Sequence, residues 1–250
     1  MKRVLRCLIC LFFPASSLKN LLLRGLGWNV DKNAKICNSL ILTRSVRLGS
    51  GSRIGFFNVI KVDALALSEN AYIQNANRIS GPIIVVLKNT AAIGNFNIIR
   101  RAPKGVVWGR SILKLGILSK ITSRHYVDCT RSVILGDYTT VAGIGSQLWT
   151  HGYIHDVTGT GRFRVDGSIR VGNNVYIGSS SIFNAGVTVA HGVTVGAASV
   201  VAKSLLEPGM YVGQPLRYIP FEYEESRSRY PKVKSKKLVE EVHNKKNVYG

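Results

Sequence analysis

Aromatic side chains make up only 8% of the 250 residues, and 13 acidic residues stand against 34 lysines and arginines. So few rings exclude a thick core filled by Phe, Tyr and Trp, and point to a narrow one. Four cysteines are too few for a disulfide framework in a chain of this length. Cys7 and Cys10 have CxxC spacing, but no second pair completes a zinc site, so they read as packing residues of an apolar run. Cysteine usage of this kind fits a reduced, cytoplasmic compartment. No apolar run approaches the roughly 20 residues that span a bilayer. The longest early one, MKRVLRCLICLFF, is interrupted by Arg6 and stops before Pro14. The formal charge of +21 comes without any nucleic-acid-binding motif, so no nucleic-acid partner is expected.

Also missing over most of the chain is a period of 2 or 3.6. A period of six replaces it. From Ile169 to Leu206 the chain divides into hexads that open on Val171, Ile177, Phe183, Val189, Val195 and Val201. Four places after each opening comes Val175, Ser181, Val187, Val193, Ser199 or Leu205. A pair of inward side chains followed by turn-forming Gly, Asn and Ser, repeated without slippage, means a solenoid. Three hexads make one triangular turn, and turns stack at strand spacing, roughly 4.8 Å.

The same register runs through earlier pairs at Leu40 and Leu42, Val46 and Leu48, Ser52 and Ile54, and Asn58 and Ile60. Small insertions place Asn58, Asn77 and Asn97 19 and 20 residues apart, one full turn plus one or two. An inward amide needs a partner, so these three are expected to form a stacked asparagine ladder. Residues 100–114, with Pro103 and Trp108, are either an irregular coil or an excursion. Pairs are then expected at Leu115 and Ile117, Ile121 and Ser123, Val127 and Cys129, Val133 and Leu135, Thr139 and Val141, and Gly145 and Gln147. Cys129 thereby reads as a small buried residue. Residues 148–168 leave the pattern as a Gly-rich, polar and basic stretch, the mark of an extruded loop. Loops thrown out of a rigid scaffold are where function is usually carried.

Three parts follow. Residues 1–35 are an amphipathic or capping segment, in which Ser17 is expected to cap a helix with Leu18, Leu21, Leu22 and Leu26 on one face. Residues 36–206 are the solenoid, and residues 207–250 are a terminal cap and a basic tail, partly helical or disordered. Residues 1–28 either close the open end of the solenoid or rest on an anionic membrane surface.

The hexads resemble those of the hexapeptide-repeat acyltransferases, which implies an all-β fold, a left-handed parallel β-helix. The resemblance sharpens at Thr150-His151, placed on a coil before the extruded loop. It looks like the Thr-His of the maltose and galactoside acetyltransferase group. That likeness implies a homotrimer using acetyl-coenzyme A, with His151 as general base taking a proton from a saccharide hydroxyl. Imidazole suits the task because it titrates near neutrality. His125, Asp128 and His155 are candidate supporting residues, although an exposed corner is the plainer reading of His125. The ending GAASVVAKSLLEPGMYVGQPLRYI is similar to the segment that contacts coenzyme A in the family. It implies donor contacts from Ser180, Gly196, Ala197, Ala198, Lys203 and Arg217. Ala202 and Gln214 depart from the family's usual Thr and Asn. The acceptor is expected to be a unit of a cell-surface polysaccharide, modified at the inner face of the cytoplasmic membrane. No metal is expected.

Two other readings share the scaffold. A γ-carbonic-anhydrase-like enzyme needs three histidines, and beside His151 and His155 no third has a matching place. A non-catalytic binding solenoid needs no particular residue at 151.

Overall fold

Each turn of the chain lays three short strands on three faces of a prism. The fold, taken from a computed structural model, is described for residues 2–155, 162–213 and 217–219. It is a mostly β, parallel β-solenoid of about nine turns preceded by two helices. The three faces are parallel sheets of eight, ten and eight strands, the second ending in one antiparallel strand. A separate two-stranded hairpin stands outside them. The basic tail from residue 220 onward, with His243, and also Gln214, lies outside the described residues.

On the first face, Val46, Leu65, Val85, Leu113, Val133 and Ile169 lie in register, one above the other. All six are buried, as are Leu48, Leu67, Leu87, Leu115, Leu135 and Val171 two residues on. This is the core: columns of branched aliphatics one side chain thick. Every hexad position named from Val171 to Leu205 is buried as the repeat predicts.

Polar residues occupy one inward column, and each bonds the turn below. The Asn77 backbone N–H and Nδ2 both donate to Asn58 Oδ1, at 2.9 and 3.0 Å. Asn97 does the same to Asn77, at 2.9 and 3.1 Å. The asparagine ladder is thus present, and it is longer than the three asparagines. Ser39 Oγ receives the Asn58 N–H, the His125 N–H donates to Asn97 Oδ1, and the Ser146 N–H donates to His125 Nδ1. Satisfied amides and hydroxyls make this column tolerable inside an apolar prism.

Corners require backbone that few residues adopt. Phe57, Ala76, Phe96, Arg124, Ser180 and Ala198 all have φ between 55° and 59° on turns of one corner, with Gly145 at 80° on the turn between Arg124 and Ser180. Their strain is held by stacking: Ala76 N–H donates to Phe56 O, Phe96 N–H to Asn75 O and Arg124 N–H to Asn95 O, at 2.9 to 3.1 Å.

The register differs from expectation in three places. The first inward pair of the third face is Ser39 and Ile41, not Leu40 and Leu42. The stretch between strands Ile98–Arg100 and Ile112–Leu115 is an excursion, and Asn97 and His125 are 28 residues apart where neighbouring ladder steps take 19 to 21. The coil therefore resumes with Leu113 and Leu115 inward, and Ile117 is 40% exposed. Inward pairs shift accordingly to Ser119 and Ile121, and to His125 and Val127; later, Ser146 and Leu148 replace Gly145 and Gln147. Cys129 is fully buried, as expected, and burial pushes its thiol pKa up.

Candidate active site

Both extruded segments leave the coil at one corner, where the third face passes to the first. The excursion between Arg100 and Ile112 leaves there, and so does the antiparallel hairpin of His151–His155 and Arg162–Asp166. Alternation along the last strand before the hairpin decides what faces out. Leu148 and Thr150 are buried, whereas Trp149 and His151 are partly exposed.

Asp128, on the turn below, is almost buried and aims its carboxylate at this strand. His151 Nδ1 lies 2.9 Å from Asp128 Oδ2. The other contacts hold the carboxylate still. Thr150 donates its N–H and hydroxyl to Oδ2, at 3.1 and 2.5 Å. Thr130 donates its hydroxyl to Oδ1 at 3.0 Å. Arg131 N–H in turn donates to Thr150 Oγ1 at 2.9 Å. A carboxylate is acceptor-only, so the proton on His151 belongs on Nδ1 and the lone pair on Nε2. That tautomer is the one a general base needs.

A row of rings extends on both sides of His151. Tyr126 and Trp149 stack at 4.7 Å between centroids, and Trp149 and Tyr153 each meet the His151 ring edge-on at 6.2 Å. The excursion braces the hairpin from the other side. Trp108 Nε1 donates to Asp166 Oδ2 at 2.9 Å, and Arg164 pairs with the same carboxylate. Asp166 is the strand partner of His151. Arg101 is buried and spends its guanidinium on the carbonyls of Pro82, Thr130, Trp108 and Gly109, while Arg131 lies 3.8 Å over the Trp108 ring. Below this brace a cavity of about 490 Å³ carries the side chains of Arg44, Lys104, Arg110 and Asp63.

Of the residues singled out from sequence, the fold brings His151, Thr150 and Asp128 together. His155 lies four residues along an exposed strand. His125 is a correction: it is a ladder rung only 2% exposed, not an exposed corner residue. Its Nδ1 accepts from Ser146 and its Nε2 meets Thr122 Oγ1 at 2.9 Å, so both nitrogens are used inside the wall. Burial pulls its pKa down to about 4. The signal that could have found it was the excursion length, which moves residue 125 onto the inward column.

The donor-site candidates divide between edges. Ser180, Ala197 and Ala198 are exposed on the corner between the second and third faces. Lys203 is exposed on the His151 corner, above the hairpin. Arg217 is exposed on the antiparallel strand that ends the second face. Gly196 is covered, since a Cβ there would come within 3.0 Å of Val212 Cγ1. Tyr126, Trp108 and Asp166 were not legible beside the candidate site, because each meets its partner there across a long stretch of chain, and Trp149, two residues before His151, carried no motif. Among the described residues, no three His, Cys, Asp or Glu side chains converge as metal ligands.

No protein-family model matches the chain. Among solved structures it is similar to the polysialic-acid-specific acetyltransferase NeuO, at 19% identity and a TM-score of 0.52, over 77% of this chain and 79% of that one. It is also similar to a galactoside acetyltransferase in complex with coenzyme A, at 26% identity and a TM-score of 0.41, over 46% of this chain. A hexapeptide-repeat acetyltransferase from Vibrio cholerae O1 biovar eltor, complexed with acetyl-coenzyme A, matches at 22% identity and a TM-score of 0.40, over 43% of this chain. The latter two matches span 57% and 59% of those chains, less than two thirds of their length. The β-solenoid drawn from the repeat is thus a fold that the chain shares with that polysialic-acid-specific acetyltransferase.

Proposed function

We propose that this hexapeptide-repeat β-solenoid transfers an acetyl group from acetyl-coenzyme A to a saccharide hydroxyl, with His151 as general base. The observation that carries the reading is the 2.9 Å contact between His151 Nδ1 and the buried Asp128 carboxylate at the root of the hairpin. Asp128 fixes the tautomer, so Nε2 takes the proton of the acceptor hydroxyl as its oxygen attacks the thioester carbonyl. The C–S bond then breaks as the tetrahedral intermediate collapses. The thiolate of coenzyme A leaves and receives that proton.

The aromatic row suits a sugar, whose C–H faces pack on rings while its hydroxyls find polar partners. The basic side chains of Arg44, Lys104 and Arg110 below it favour an acceptor that carries negative charge. Donor contacts from Ser180, Ala197 and Ala198 on one corner and from Lys203 on the other fit a homotrimer, in which adjacent copies bring different corners together. The compartment that fits this donor is the cytoplasm.

The test is calorimetric titration with acetyl-coenzyme A, followed by acceptor screening. Binding that Lys203→Glu weakens, with turnover that His151→Ala abolishes, supports the reading. A folded protein that does not bind the donor, or a His151→Ala variant that turns over normally, overturns it.

A further inference from the structure

The two N-terminal helices expose large apolar side chains, and the second buries polar ones. In α1 (Lys2–Phe12) the buried side chains are Ile9 and Cys10, and in α2 (Ser17–Gly25) they are Lys19, Asn20 and Leu23. Ser16, not Ser17, caps α2, its side chain accepting from the Lys19 N–H at 3.2 Å. Of the four leucines expected on one face of α2, Leu18, Leu21 and Leu22 point away from the protein, whereas Leu26, at the C-cap, packs on the core. Leu18 and Leu21 are each 58% exposed, and on α1 so are Val4 by 58% and Phe12 by 69%.

Two polar side chains of α2, Lys19 and Asn20, are turned inward and their donor nitrogens are bonded, although Asn20 Oδ1 is buried without a partner. Lys19 Nζ donates to the carbonyls of Cys10, Phe13 and Ile36, at 2.8 to 3.0 Å. Cys10 and Phe13 sit at the C-terminal end of α1, where unpaired carbonyls collect negative partial charge, so a buried ammonium answers them. Asn20 Nδ2 donates to Ala34 O at 2.7 Å. The Arg6 guanidinium bonds Leu26 O and Arg44 O. These bonds lock the helices to the first coil in the orientation that presents leucines outward. A frayed or mispacked helix would not spend its lysine and asparagine this way.

We infer that this helical pair is a membrane-surface anchor that seats its apolar face in the interface of an anionic lipid layer. Charge selects this occupant over a second copy of the chain. The apolar face is bordered by exposed Lys2, Arg3, Arg24 and Lys32, and through residue 53 the only acidic residue is Asp31. Two copies joined through this face would bring like charges together, whereas anionic headgroups neutralise them. Phe12, Phe56 and Phe57 line a groove that continues the patch onto the coil. Among the described residues no helix is long and apolar enough to cross a membrane, so the pair lies in the interface. The inference does not depend on the acetyltransferase reading.

The full chain would be sedimented with vesicles of phosphatidylcholine alone and of phosphatidylcholine mixed in equal parts with phosphatidylglycerol. It should pellet with the mixed vesicles and much less with the neutral ones. Val4→Asn/Leu8→Asn/Phe12→Asn, all on the exposed face, should weaken binding to mixed vesicles by about tenfold or more, and Lys2→Gln/Arg24→Gln by a smaller factor. Circular dichroism and the thermal midpoint should be unchanged, because none of these side chains is packed. Wild-type protein that stays in the supernatant with mixed vesicles overturns the inference. So does an apolar triple variant that binds them as wild type does while its assembly mass falls in sedimentation velocity, which would assign the face to a second copy.

Discussion

His125 and His151 lie on adjoining turns of the third face, yet the fold gives them opposite chemistry. His125 points inward, is a step in a polar column, and has both ring nitrogens engaged by the wall. His151 is partly exposed at a lip, with a carboxylate behind Nδ1. The side chains are identical. The parity of one position on a strand, inward or outward, separates a structural rung from a candidate base. Burial then sets the energetics of the sealed imidazole, which is held neutral because its charged form is disfavoured there.

The sharpest way to break this comparison is to remove each ring. His151→Ala should lower acetyl transfer by about 10²- to 10⁴-fold while leaving acetyl-coenzyme A affinity and thermal stability near wild type. Steady-state kinetics beside calorimetry read both. Asp128→Asn should lower the rate by about 10²-fold, because the amide no longer enforces the Nδ1–H tautomer. It should also cost about 1–3 kcal/mol of stability, since Thr150 and Thr130 donate to that carboxylate. Equal kinetics for Asp128→Asn and wild type would leave His151 without its orienting partner.

His125 should register in stability. Its folded pKa, about 4, lies below its ordinary 6.5. The unfolded chain therefore binds the extra proton between those values, and stability is lost as pH falls from 6.5 to 4, by about 3 kcal/mol. Above pH 6.5 that contribution is complete. His125→Asn offers a ladder side chain that does not titrate, so urea unfolding of this variant should show a flatter pH dependence over the window. A slope like that of wild type would place the titrating group elsewhere. The smallest effect belongs to the brace: Trp108→Phe deletes the bond to Asp166 and keeps most of the ring. It should reduce turnover by about threefold to tenfold through looser placement of the hairpin, with the fold intact. An unchanged rate would show that the hairpin holds its place without Trp108.

Much of the solenoid was legible before any coordinates, because a stacked coil repeats its own geometry and writes its period into the chain. Val171 through Leu205 could be assigned inward or outward by counting, and the Asn58, Asn77 and Asn97 ladder by its spacing. Counting fails where residues are inserted. A period of six carried past Ile99 misplaces the next inward pairs, because the excursion is not a whole number of turns, until Val133 restores the register. The apolar face of α2 was readable from Leu18, Leu21 and Leu22, but not which way it turned, since that depends on carbonyls at Cys10, Phe13 and Ile36 finding Lys19.

The coil and its ladder are consequences of a local period and can be read from the chain, while His151 is marked only by the resemblance of Thr150-His151 to a family motif at the start of the extruded loop. Only the tertiary structure decided that Asp128, 23 residues away, stands behind that histidine, that His125 is sealed in, and that Trp108 reaches Asp166 across 58 residues of chain. Those outcomes turn on how many residues each corner extrudes before the next strand stacks, a length that stacking fixes and no period records.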